Sequence, residues 1–229
     1  MTASLVLPQG HILHVAVYEE RILTVPQTRN AYPLLGLLNL RSWSTYELAQ
    51  QVQRSLHWFW PTAERRLYDE PKLLVELGLA EATEEFTGRR ARREYRITRA
   101  GRRALRLWIN EPSAPRTCEF EALAKVFFAD AGSIHQLESV IDGIAAESID
   151  RIKQLGEMLE AEAPFPKRAH VSVLAMQLQL EQEEGVLHWS QWARTQIKQW
   201  RSTKDPGDWP TEALRAELAA RAHPRAPGE

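Results

Sequence analysis

The segment Phe59–Ala104 carries the strongest indications of the fold, and it reads FWPTAERRLYDEPKLLVELGLAEATEEFTGRRARREYRITRAGRRA. Its first part predicts a helix, because Pro61 fits a first helical turn and the hydroxyl of Thr62 can cap a free backbone N–H. An apolar stripe then recurs at helical spacing at Leu67, Pro71, Leu74 and Leu77. The opposite face carries Thr62, Arg65, Arg66 and Asp69. We therefore expect a short helix that exposes one polar face.

A two-stranded ribbon is expected after this helix. Gly78 offers a left-handed stop for the helix. The runs Leu79–Phe86 and Arg93–Ile97 can then pair across the turn Thr87-Gly88-Arg89-Arg90-Ala91. A helix followed by such a ribbon is the pattern of a winged helix, so the predicted fold class is mainly α with a small two-stranded β-wing.

The sequence on both sides of this stretch predicts further helices. A nearly all-round apolar helix begins at Ala31, and Ser44-Thr45-Tyr46-Glu47 resembles a capping box that opens a second helix. Thr98 can cap a helix after the ribbon, which ends before Pro112. Beyond the linker 111–116, stripes of apolar residues predict helices over 117–130, 133–162, 168–202 and 211–222.

Four segments follow from this pattern. They are an N-terminal extension or hairpin (1–30), a winged helix-turn-helix domain (31–110), a long-helix dimerisation domain (117–222) and a tail (223–229). In the first segment, HILHVAV and RILTV permit a hairpin, and a loose extension is the alternative. Two long helices with single apolar stripes bury only one narrow face against each other, so we expect a homodimer. Packing of these helices on the N-terminal domain remains the alternative.

Charge divides the chain into a basic half and an acidic half. Residues 31–109 carry 14 Lys and Arg against 9 Asp and Glu, whereas residues 110–229 carry 13 against 19. Arginines crowd the ribbon turn, and their planar forks of donors suit phosphate. Base readout would fall to the start of the third helix. The predicted DNA-binding set is Thr62, Ala63, Arg65, Arg66, Tyr68, Arg89, Arg90, Arg92, Arg93 and Tyr95.

Three runs carry a family resemblance: LGLLNLRSWSTYELAQQV, FWPTAERRLYDEPKLLVELGLAE and GRRARREYRITRAGRRALRLWI. Together they resemble the PadR family of bacterial transcription regulators over about Tyr32 to Pro112, with a weaker likeness through LAKVFF at 123–128. The resemblance implies a dimeric regulator, usually a repressor, and some family members respond to small aromatic or hydrophobic compounds. Ser44-Thr45 and Asp69-Glu70-Pro71 depart from the family pattern, so the operator does not transfer.

Other functional classes find little support in the sequence. The chain has no Gly-rich phosphate loop, no paired Cys motif and no GxSxG, so we expect no catalytic residues and no cofactor. His11 and His14 have no carboxylate or thiol nearby to complete a metal site. No apolar run approaches the roughly 20 residues of a spanning helix, so we expect no membrane association and a cytoplasmic protein.

Two functions stay open at this point. The first is a dimeric, sequence-specific regulator of double-stranded DNA, most simply a repressor. The alternative is a winged-helix protein-interaction module whose arginine tip docks on an acidic partner without binding DNA. A small aromatic effector is a further hypothesis, with Trp43, Trp108, Trp189 and Trp192 as candidate pocket residues. Filling of the core and of interfaces explains these tryptophans equally well.

Overall fold

The chain folds as two compact units. The computed structural model describes residues 2–6, 12–18, 21–25, 30–60, 64–87 and 90–223. The first unit is Met1–Pro115 and the second is Arg116–Glu229. Their border falls inside the proline-bearing segment 111–116, where two prolines within four residues interrupt regular structure.

The first unit opens with a small antiparallel sheet. Its strands are β1 (Thr2–Val6), β2 (Ile12–Tyr18) and β3 (Arg21–Val25), in the order β1-β2-β3. β2 and β3 contain the two runs that permit a hairpin, and Tyr18 pairs with Arg21 across it. β1 has no counterpart in the sequence prediction.

The described residues of the first unit then form the α-helices α1 (Ala31–Leu38), α2 (Thr45–Gln51), α3 (Glu64–Glu76) and α4 (Arg99–Asn110). α2 continues directly into a π-helical segment, Val52–Leu56. The predicted capping box at the start of α2 is confirmed. The Ser44 N–H donates to Glu47 Oε2 at 2.8 Å, and the Glu47 N–H donates to Ser44 Oγ at 3.3 Å. This reciprocal pair fixes where the helix begins.

A hairpin of β5 (Ala80–Thr87) and β6 (Arg90–Ile97), here called the wing, lies between α3 and α4. The predicted stop at Gly78 is confirmed, with φ of +69°. The wing strands extend further than expected, since Thr87 pairs with Arg90. A short strand β4 (Trp43–Ser44) pairs with the other side of β6, so the sheet has three strands in the order β4-β6-β5.

The core of the first unit joins the helices to the base of the wing. Leu34 and Leu35 of α1 and Leu74 of α3 are at most 1% exposed, as is Tyr95 of β6. Burial of each such side chain contributes about 1.5–3 kcal/mol, so this shared core holds α3 and the wing in a fixed arrangement.

The second unit consists of α5 (Glu121–Phe127), α6 (Ile134–Glu160), α7 (Ala169–Ile197) and α8 (Thr211–Ala222). Leu137 and Ile141 of α6 form a core cluster with Ala193 and Ile197 of α7. Ion pairs between the two helices flank this cluster. Arg151 meets Glu183 at 2.5 Å, and Arg194 contacts both Glu138 and Asp142. α6 and α7 therefore form one antiparallel pair.

α7 does not bury its whole apolar stripe against α6. Its buried residues include Gln179, Ser190, Ala193 and Ile197. Val171, Leu174, Leu178 and Trp192 are instead 42–74% exposed. At about 100° per residue, these exposed side chains lie on a second face, roughly 120° round the helix from the buried one. The expectation of a single inward stripe along this helix is therefore wrong. No helix in the described ranges is long and apolar enough to cross a membrane.

Candidate nucleic-acid interface

The outer face of α3 is available for contact with a ligand. Arg66 is exposed, and Tyr68 is 37% exposed, while Leu67 and Leu74 anchor the opposite side of the helix in the core. Within the described part of the chain, no carboxylate forms an ion pair with Arg66. A free guanidinium and a phenol on an exposed helix face are donors suited to phosphate oxygens and base edges.

A shallow groove of about 330 Å³ lies between α3 and the preceding helix. It is lined by Tyr46, Ala49, Gln50, Gln53, Arg54 and Tyr68. The Gln50 side-chain amide donates to the Tyr46 hydroxyl at 2.9 Å, so the two side chains are held together at the rim. The groove carries amide, phenol and guanidinium groups, while most of its lining surface is apolar.

Two of the groove residues, Gln53 and Arg54, belong to the π-helical segment. The His57 N–H donates to the Val52 carbonyl at 3.0 Å, five residues back, which widens the helix at this point. The Ser55 hydroxyl donates to the Gln51 carbonyl at 2.7 Å and supports the wider turn. Single π turns often occur at functional sites. Here the turn sets the positions of the two side chains at the end of the groove.

The wing carries a ladder of opposite charges. Glu81 stands opposite Arg96, Glu84 opposite Arg93, and Glu85 opposite Arg92. In the first pair the Arg96 guanidinium contacts the Glu81 carboxylate at 2.8 Å. From residue 80 to 97 the wing has five arginines and four glutamates, so it is far less basic than its turn alone indicates. Arg90 differs from the others because its cross-strand neighbour is Thr87.

The part of the chain that contains α3, the groove and the wing matches a known family. Residues 34–107, which contain α2, α3, the wing and most of α4, fit the family model described as the transcriptional regulator PadR-like family. Residues 34–107 form a PadR-like domain.

A curated relative matches part of this chain. The probable transcriptional regulator Rv1176c of Mycobacterium tuberculosis (strain ATCC 25618 / H37Rv) is 33% identical over 73 residues, which are 31% of this chain and 39% of the relative. This chain therefore spans about two fifths of that relative's length.

Solved structures resemble both units. Bacillus subtilis PadR in complex with operator DNA has a TM-score of 0.64 and 22% identity, covering 73% of this chain and 98% of that chain. The same protein in complex with p-coumaric acid has a TM-score of 0.60 at 22% identity, covering 74% and 98%. The Vibrio cholerae virulence activator AphA has a TM-score of 0.59 at 22% identity, covering 73% and 97%. The expected fold class, mainly helical with a small β-wing and long C-terminal helices, is confirmed.

The predicted DNA-binding residues fall at several places in the PadR-like domain. Thr62, Ala63 and Arg89 lie outside the described residues. Arg65 is in the first turn of α3, and Arg90 and Arg92 are in β6. Arg66, Tyr68 and Arg93 are exposed. The exposed members therefore come from two elements, α3 and the wing.

Tyr95 departs from the prediction. Its side chain is 1% exposed and forms part of the core beneath the wing. It lies opposite Ala82 on one side of β6 and opposite Trp43 on the other. A buried ring between two neighbouring strands cannot contact DNA from the surface, so we remove Tyr95 from the proposed contacts.

The tryptophans of the predicted effector pocket have different environments. Trp43 is 3% exposed, and its indole N–H donates to the Leu37 carbonyl at 2.7 Å, so it is a core residue rather than a pocket wall. Trp108 is 37% exposed and stacks on Tyr32 with a centroid distance of 5.0 Å. Trp189 and Trp192 belong to the second unit, where Trp189 packs on the α6–α7 cluster and Trp192 is 42% exposed.

Sequence reasoning missed the residues that line the groove on the side of α2. Tyr46, Gln50 and Gln53 recur at spacings of four and three, opposite the inward residues Leu48 and Val52. The sequence could have identified these three residues as the polar face of the helix, opposite its apolar stripe. No group of three or more candidate metal ligands occurs in the described parts of the chain.

Proposed function

We propose that this chain is a dimeric, sequence-specific DNA-binding transcriptional regulator that acts as a repressor. The observation that carries the proposal is the exposed face of α3, with Arg66 and Tyr68 beside the groove. α3 would enter the major groove, where Thr62, Ala63, Arg65 and Arg66 would read base edges. Arg89 and Arg90 at the wing turn would contact phosphate. A protein that binds an operator would act in the cytoplasm, where the chromosome is located.

Likeness to Bacillus subtilis PadR in complex with operator DNA supports the proposal. Physical chemistry supports it as well, because Arg66 has no described carboxylate partner and Arg90 stands opposite a neutral threonine. An exposed guanidinium without a described carboxylate partner, as at Arg66, favours a polyanion.

Salt-titrated binding to the DNA upstream of the chain's own gene tests this function. For each phosphate contact, the slope of log affinity against log salt falls by about 0.9. We expect a steep negative slope for the wild type, a slope shallower by about 1 for Arg90→Ala, and a footprint at a discrete site. Arg215→Ala on α8 is the matched control, since that arginine already faces Glu212 at 3.7 Å. Retention of DNA by Arg90→Ala with an unchanged slope would contradict the proposed wing contact, and a wild type without a footprint would contradict the function.

The second face of α7 supports the dimer. Val171, Leu174 and Leu178 are 45–74% exposed along one stripe of a single chain. A continuous exposed apolar stripe is typical of a helix that packs against another copy. Two copies joined in this way would present two α3 helices to one duplex.

Light scattering after size exclusion tests the dimer. We expect the wild type at twice the 26.3 kDa of one chain. The double variant Leu174→Glu, Leu178→Glu should run as a monomer, because it would bury two charges in the interface. Leu218→Glu on α8, which changes another exposed leucine, should stay dimeric. A wild type that is monomeric at all concentrations would remove this part of the proposal.

The proposed function also includes regulation by a small aromatic effector. Support comes from the structure of Bacillus subtilis PadR with p-coumaric acid and from the exposed faces of Trp108 and Trp192. We expect p-coumaric acid, or another phenolic or cationic aromatic, to quench tryptophan fluorescence and to weaken operator binding. If every compound of such a panel leaves both fluorescence and binding unchanged, the effector hypothesis is wrong.

A further inference from the structure

The most basic uncompensated surface among the described residues lies on α4. Four arginines, here called the α4 arginine stripe, are exposed there: Arg99, Arg102, Arg103 and Arg106. At about 100° per residue they fall within an arc of roughly 100°, and at about 1.5 Å per residue they span roughly 10 Å of helix. α4 contains no acidic residue, and none of the four arginines forms an ion pair with a described side chain.

The placement of the stripe is unfavourable for the stability of the helix. The N-terminal end of a helix carries partial positive charge, and a cation in the first turn costs a few tenths of a kcal/mol to about 1 kcal/mol. The first turn of α4 holds Arg99 and Arg102 and no acidic residue. The helix is held by other means, since the Thr98 hydroxyl accepts from the Gly101 N–H at 3.0 Å. These arginines therefore oppose folding, and an anionic ligand would reverse that effect.

The stripe is remote from the wing turn. α4 starts at the base of the wing, where the Thr98 hydroxyl donates to the Gly78 carbonyl at 2.8 Å. Arg90 lies at the other end of β6, seven residues from Ile97, which at about 3.4 Å per residue is roughly 24 Å. At about 3.4 Å of duplex axis per phosphate of one strand, the stripe and the wing turn cannot share the same phosphates.

The geometry points to a second contact with DNA: we propose that the α4 arginine stripe binds the phosphate backbone that flanks the operator. The inference rests on the proposed function, because its ligand is the same duplex. Helices that bind a lipid surface insert their apolar face into it. In α4 that face is already used, since Gly101, Ala104 and Leu105 are buried within the first unit. The exposed apolar residues of α4, Leu107, Trp108 and Ile109, lie together in its last turn. Over 99–106 the outward surface is mainly cationic, and it fits a rigid polyanion recognised through its charge.

Two duplexes distinguish this contact from operator recognition. One contains only the footprinted site, and the other adds ten base pairs at each end. The test variant is Arg102→Gln, Arg106→Gln. The matched control is Arg215→Gln, Arg221→Gln on α8, which removes the same charge from two arginines that already face glutamates. Circular dichroism and urea unfolding establish that each variant is folded.

We expect the salt slope of the test variant to be shallower by about 2 on the long duplex and unchanged on the short one. The control should match the wild type on both duplexes. An unchanged slope on the long duplex, or an equal loss on both duplexes, would overturn the flanking contact and leave the proposed function standing. The flanking contact would also be overturned if the wild type binds phosphatidylserine vesicles, the test variant does not, and the salt slopes of DNA binding are the same for both proteins. A wild type that binds neither duplex would overturn the proposed function itself.

Discussion

Substitution of Gly101 by alanine should loosen the attachment of α4 to the wing. A Cβ at this position would lie 2.1 Å from the Leu79 carbonyl oxygen and 2.8 Å from Cγ1 of Ile97. The carbonyl is not a flexible side chain. It accepts a hydrogen bond from the Thr98 N–H at 3.0 Å and belongs to the backbone that leads into the wing. The clash can be relieved only if the helix or the strand moves by about 1 Å.

Three contributions determine the expected change in the free energy of unfolding. Overpacking of this kind destabilises by about 1–3 kcal/mol. Weakening of the Thr98 hydrogen bond adds about 0.5–1.5 kcal/mol. Alanine favours the helix over glycine by about 1 kcal/mol, which offsets part of the loss. We therefore expect a net destabilisation of about 2 kcal/mol, or roughly 10 °C in the melting temperature of a unit of this size.

Gly36→Ala is the matched control, because it is the same change in a helix of the same unit and a Cβ there would have no atom within 4 Å. It should stabilise the unit by up to about 1 kcal/mol. The assay is urea unfolding monitored by hydrogen exchange of peptides from residues 31–110, which separates the first unit from the second. A Gly101→Ala protein as stable as the wild type would refute the close packing described here.

Three further predictions concern single side chains of the first unit. Ser44→Ala removes the Oγ that accepts from the Glu47 N–H, while the backbone N–H of residue 44 can still donate to Glu47 Oε2. It should destabilise the unit by about 1 kcal/mol in urea unfolding, and an unchanged midpoint would contradict the cap. Burial and the nearby Glu111 carboxylate raise the pKa of Tyr32 to about 12. The unfolded chain releases that proton near pH 10, so the stability linked to Tyr32 should be complete below pH 10 and be lost as the pH rises towards 12. Tyr32→Phe should remove this loss, as measured by unfolding across that range. Arg93→Ala should change the salt slope of DNA binding less than Arg90→Ala does, because Arg93 stands opposite Glu84 whereas Arg90 stands opposite Thr87. Equal slopes for the two variants would show that the glutamates do not compensate the wing.

Features determined by neighbouring residues could be predicted from the sequence. The Ser44–Glu47 box, the Thr98 cap and the Gly78 stop each depend on groups within four residues of one another, and all three are confirmed. The outward position of Arg66 and Tyr68 follows from the spacing of the buried leucines on α3. Local patterns therefore identified the fold and the exposed helix.

Features determined by distant pairing could not be predicted in the same way. β4 contains only two residues and exists because it pairs with β6, some 50 positions later. The ion pair of Arg96 with Glu81 and the position of Arg93 opposite Glu84 depend on the strand register, which the sequence does not state. The burial of Tyr95 had a signal, since it stands two residues before the buried Ile97 and so shares its face. The crowded arginines obscured that alternation.

The charge ladder on the wing also fixes how its two strands align. With the observed pairing, Glu81, Glu84 and Glu85 each meet an arginine. A shift by one residue in one direction would set Glu84 against Glu94, and a shift by two in either direction would set Glu81 or Glu85 against it. Favourable cross-strand pairs contribute roughly 0.2–1 kcal/mol each, and like charges oppose one another by similar amounts. The stagger of the hairpin is thus encoded in its charges, so neutralising these glutamates to strengthen DNA binding would also free the strands to slip.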